Sequence, residues 1–68
     1  MQIVDARGLS CPEPAMMAYD ALEEFPNEPV KILVSNATSK VNVSEVARRK
    51  RREVTVERDG DDFVIIVQ

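Results

Sequence analysis

The residue best placed to do chemistry is Cys11, the one cysteine of the chain, which is followed by Pro12, Glu13 and Pro14. Pro12 fits the first turn of a helix, because the N–H that it lacks would have no intrahelical partner there. Pro14 fits for the same reason, since first-turn amides are free. The spacing therefore sets a helix start and puts Cys11 at or beside the N-cap. A thiol in that position meets the positive end of the helix dipole and free backbone N–H groups. Both favour thiolate over thiol, and the thiolate is the nucleophile. Arg7 can add a positive charge and Gly8 turns the chain into the segment. Glu13 opposes the effect if its carboxylate points back at the sulfur. The competing reading is a small buried hydrophobe, the usual role of a lone cysteine. Against it, cysteine is a poor cap and Ser10 beside it is a better one.

Other chemistries are closed to these residues. The chain has no histidine, and one cysteine makes neither an intramolecular disulfide nor a structural zinc site. Metal catalysis and a histidine base are excluded within the chain, and no cofactor is expected. A second cluster is electrostatic: five of the nine basic residues form the run Arg48-Arg49-Lys50-Arg51-Arg52, although the net charge is −3. One reading is a solvated helix end held by favourable dipole terms. The other is docking, to an acidic partner surface or to RNA phosphates. Tyr19, Phe25 and Phe63 are the only aromatics and none interleaves with the run, which argues against a base-stacking platform and direct nucleic-acid binding.

The elements that must position these residues follow from punctuation and periodicity. The 68 residues allow one domain, 1–68, and the 44% hydrophobic content supports a folded core. No apolar run approaches the roughly 20 residues of a membrane helix. Met1 to Asp5 lacks the features of a signal peptide, so a cytoplasmic location is expected, where a lone thiol stays reduced. Gln2 to Asp5 reads as a strand. A helix from about Pro12 to Phe25 carries Ala15, Ala18, Leu22 and Phe25 on one stripe, with Pro26 ending it. Met16 and Met17 read as core packing or, for one of them, as an adaptable rim beside Cys11. Val30 to Val34 is a strand well inside the sheet. Ser39 to about Lys50 is a second helix with Val43, Val46, Ala47 and Lys50 on one face, the Lys50 stem snorkelling. Glu53 to Arg58 alternates, with Val54 and Val56 facing inward. Asp59-Gly60 signals a two-residue type I′ turn into a last strand ending at Val67. That hairpin would pair Arg58 with Asp61, Val56 with Phe63 and Val54 with Ile65.

The order β-α-β-α-β-β predicts an α/β fold: a two-layer α/β sandwich, a four-stranded mixed sheet with two helices on one face. Val64 and Ile66 then point to the other face, and some of Val30, Ile32 and Val34 join them or the core. An exposed apolar sheet face would mark a partner or dimer surface; otherwise neighbouring charged side chains cover it.

The segment Val4-Asp5-Ala6-Arg7-Gly8-Leu9-Ser10-Cys11-Pro12-Glu13-Pro14 resembles the signature of the TusA/SirA/YedF-like sulfur-carrier family, in which a Gly-Leu precedes a Cys-Pro-x-Pro that opens the first helix. The resemblance covers the chain in length and element order. The stretch Ser35-Asn36 with Asn42-Val43-Ser44-Glu45-Val46-Ala47 looks most like the YedF-like branch, linked with selenium or sulfur metabolism. The resemblance implies a sandwich like the C-terminal domain of translation initiation factor three. It implies a persulfide on Cys11, with a cysteine desulfurase or another sulfurtransferase as donor. The acceptor would be a DsrE-like or tRNA-thiolation protein. Two positions depart from the family pattern: Arg51-Arg52 stand where a Gly often follows the second helix, and Asn36-Ala37 stand where Asp-Pro is common. Beside the carrier reading stand a nucleic-acid-binding module using the basic run and an interaction or regulatory module with a structural Cys11.

Overall fold

The structure, a computed structural model, describes residues 1–68. The β-branched runs form β1 (Gln2–Asp5), β2 (Val30–Val34), β3 (Val54–Asp59) and β4 (Asp62–Val67), joined in one sheet of order β1-β2-β4-β3. β1 and β2 are parallel, and β4 runs antiparallel to both β2 and β3. The helices α1 (Glu13–Glu24) and α2 (Ala37–Arg49) follow β1 and β2. They cover one face, giving the expected two-layer sandwich. Because β1 and β2 are parallel, both deliver the chain to the same sheet edge, and both helices begin there. This topology brings the start of α1 beside the first turns of α2.

The core is the layer between helices and sheet. Val30, Ile32 and Val34 of β2 and Ile65 and Val67 of β4 are fully buried against Ala18, Leu22, Val43 and Ala47. Strict alternation along β2 puts all three of its valine and isoleucine side chains on the helix face. Burying each such side chain contributes about 1.5–3 kcal/mol. On α1 the buried stripe is Pro14, Ala18, Ala21 and Leu22, with Phe25 partly buried; Ala15 lies at its margin. Met17 packs against the core and Met16 is exposed. α2 starts two residues earlier than predicted, because Asn36 caps it by accepting a hydrogen bond from Ser39 N at 2.8 Å.

The hairpin and the exposure of Val56 differ from expectation. The hairpin turns at Gly60-Asp61, since Asp59 pairs with Asp62. Gly60 has φ +64° and Asp61 has no positive φ, which fits a II′-type turn with glycine first rather than type I′. Val56 therefore pairs with Ile65 and Val54 with Val67; the partner shift of two residues leaves every side chain on its intended face. Val56 is 40% exposed, because β3 is an edge strand that the helices only partly reach. On the helix-free face the register aligns Ile3, Leu33, Val64 and Ile66. Val64 is buried, Leu33 and Ile66 are half-buried and Ile3 is exposed, so the apolar face is partly covered.

Candidate functional site

The loop from β1 to α1 is pinned before it reaches Cys11. Ala6 is fully buried and donates its N–H to Leu33 O at 2.8 Å, which extends the β1–β2 ladder by one residue. Gly8 takes φ +79°, a left-handed conformation that favours glycine, and its N–H donates to Ser35 Oγ at 2.6 Å. The loop is thus tied to the end of β2. Pro12 is the N-cap of α1, Glu13 its first residue and Pro14 its buried second residue. The Cys11–Pro12 peptide is cis. Cys11 stands one residue before the N-cap, and it is exposed. A structural cysteine would be buried here; this one faces outward at a helix start.

The donors around the sulfur are not those expected from a helix N-terminus. Pro12 and Pro14 have no N–H, and the Glu13 amide donates to Ser10 O at 3.0 Å. The hydrogen bond to Cys11 Sγ comes instead from Asn42 Nδ2 of α2, at 3.3 Å. Sequence reasoning did not place Asn42 in the site, because the contact spans 31 residues and joins two elements. The available signal was an amide beside the buried Val43, on the helix that starts at the same sheet edge.

Arg7 is engaged by carboxylates rather than by the sulfur. Its guanidinium holds both carboxylate oxygens of Asp5, at 2.9 and 2.8 Å, and reaches Asp62 at 3.8 Å. This hydrogen-bonded pairing lowers the Asp5 carboxyl from its usual 3.8 to about 2 and raises Arg7. Two carboxylates consume the one positive charge, and Arg7 acts as a brace of the loop. Glu13 is exposed at the first turn.

The basic run divides by function. Arg52 donates to three carbonyls, Gln68 O at 2.6 Å, Glu28 O at 2.7 Å and Phe25 O at 3.2 Å, and so clamps the end of α1 to the end of β4. Lys50 pairs with Glu23 at 2.9 Å and lies over the Tyr19 ring at 4.3 Å, tying α2 to α1. The Lys50 and Tyr19 hydrogen bonds lower the Glu23 carboxyl, and the bond to Glu23 raises the Tyr19 phenol. Arg48, Arg49 and Arg51 remain exposed, Arg49 within 4.0 Å of Glu45. Asn42 and Arg49 are seven residues apart, so they share one face of α2 about 10 Å from each other. The run is therefore part clamp and part open surface, and only the open part can meet a partner.

Residues 2–68 match the family model described as sulfurtransferase TusA. A crystal structure of the SirA-like protein from Desulfitobacterium hafniense is similar throughout, with a TM-score of 0.89 and 28% identity over 98% of this chain and 95% of that one. No curated protein matches the chain.

Proposed function

The chain belongs to the TusA sulfurtransferase family, and on that premise we propose that Cys11 accepts a sulfane sulfur as a persulfide and relays it to a partner protein. Members of this family act as sulfur carriers alongside other sulfur-relay proteins. The observation that carries the reading for this chain is the exposed sulfur of its one cysteine at the start of α1, open to a partner and held by one side-chain donor. The step balances without a metal or cofactor. The Cys11 thiolate attacks the terminal sulfur of a donor persulfide. A new S–S bond forms on Cys11, the donor's S–S bond breaks, and its electron pair leaves on the donor cysteine as thiolate. The proton of the transferred S–H group stays with that sulfur. Release repeats the exchange with an acceptor thiolate. The dipole of α1 favours the persulfide anion at its N-terminus.

The donor in this reading is a cysteine desulfurase or another sulfurtransferase, and the acceptor is a DsrE-like or tRNA-thiolation protein. Intact mass after incubation with a desulfurase and cysteine tests it: the protein should gain one sulfur, lose it on reduction, and gain none as Cys11→Ser.

A further inference from the structure

The helix start supplies no hydrogen bond to the Cys11 sulfur; α2 does. We propose that Asn42 is a further catalytic residue of the relay, donating to the charged sulfur of Cys11 before loading and to the persulfide after it. The assignment rests on the carrier reading of Cys11. Asn42 Nδ2 lies 3.3 Å from Sγ, and the amide nitrogen carries two N–H donors, of which the sulfur takes one. The helix that carries the donor is packed on the core: Val43 and Ser44, the next residues of α2, are buried, and Asn42 itself is half-buried. Cys11 itself stays exposed, as the approach of a partner's sulfur requires.

The chemistry of the amide suits a carrier. An N–H donor favours the charged sulfur over the neutral thiol. A carboxylate at this position would repel that charge. A lysine or arginine would set a full positive charge against the charged sulfur and hold the persulfide against release. A neutral amide assists loading and still lets the sulfur go.

The test is the rate of Cys11 alkylation by iodoacetamide against pH, in the wild-type chain, Asn42→Leu and Asn42→Asp, with thermal melts of all three. A lost donor lowers the share of charged sulfur at neutral pH. It also raises the intrinsic nucleophilicity of the charged sulfur that remains, since reactivity falls only partly with basicity. At neutral pH Asn42→Leu should therefore react about threefold more slowly than wild type. Above about pH 10, past the ordinary thiol range, it should react as fast or faster. Asn42→Asp should be slower still at neutral pH, and it carries the comparison if the leucine variant melts early. Crossing profiles support the assignment. Superimposed profiles, or a variant uniformly slower at every pH, overturn it. Sulfur loading by mass is measured in parallel on wild type. Loading with superimposed profiles removes Asn42 and leaves the carrier standing. Crossing profiles with no loading remove the carrier and leave only an amide acting on a thiol.

Discussion

At the scale of single residues, the site is one exposed sulfur with a borrowed donor. Cys11 precedes the N-cap and its side chain caps nothing, so replacing it should leave the helix start unchanged. Cys11→Ser should keep its stability within about 0.5 kcal/mol while losing all sulfur uptake; a matched pair of melting curves and mass spectra checks both halves. The Arg7–Asp5 pair makes a different, pH-dependent statement. The folded Asp5 carboxyl is depressed to about 2 from 3.8, so its contribution is present above the unfolded value and is lost as pH falls through that window. Asp5→Asn should flatten the acid limb of the stability curve between those two values and leave stability near neutral pH less sensitive to Arg7→Ala. Denaturant melts from neutral to acid pH read this directly, and an acid limb identical in the variant would remove the pair from the account. Cys11, Pro12 and Pro14 were legible because each limits local backbone chemistry. Asn42 was not, because its role depends on where α2 lies relative to a loop 31 residues away.

At the scale of elements, the end of α2 shows how a local rule is broken and still obeyed. The Arg51 N–H bonds Arg48 O at 2.9 Å and the Arg52 N–H bonds Ala47 O at 3.1 Å, the two closing bonds of a Schellman motif. The left-handed position between them, φ +61°, is held by Arg51 rather than glycine. The helix therefore ends as a glycine-capped one does, at a cost of about 1 kcal/mol in the left-handed residue. Arg51→Gly should raise the melting temperature by about 4–8 °C, the shift expected from 1 kcal/mol in a chain of this size. Arg52→Ala should act in the opposite direction, by about 2 kcal/mol, because three carbonyls lose their donor. A melt in which both changes are silent would contradict the description of this helix end. The strands were legible from alternation and β-branching, and β2 was placed inside the sheet from its apolar run. The hairpin register was not: Asp59-Gly60 and Gly60-Asp61 both offer plausible turns. A shift of two in pairing keeps the same side chains on the core face, so the hydrophobic pattern cannot choose between them.

At the scale of the whole molecule, a parallel pair of strands brings two helix starts to one edge, and Arg49, in the exposed part of the basic run, lies on the same helix face as Asn42. A protein donor that reaches Cys11 meets Arg49 about two turns along α2. Arg48→Glu with Arg49→Glu should slow sulfur transfer from an acidic protein donor. The effect should be largest at low ionic strength and shrink as salt is added, while loading from a small-molecule persulfide stays unchanged. Equal slowing with both kinds of donor would mean damaged folding instead. Arg52 has no place in this test, since it is part of the clamp. The carrier role itself is tested most directly by intact mass of the wild-type chain and Cys11→Ser after exposure to a cysteine desulfurase with cysteine and, separately, to a small-molecule persulfide. The account predicts a gain of one sulfur on wild type with either donor, reversed by reduction and absent from Cys11→Ser. A folded wild-type protein that gains no sulfur from either donor, or a Cys11→Ser variant that gains it equally, would contradict the account.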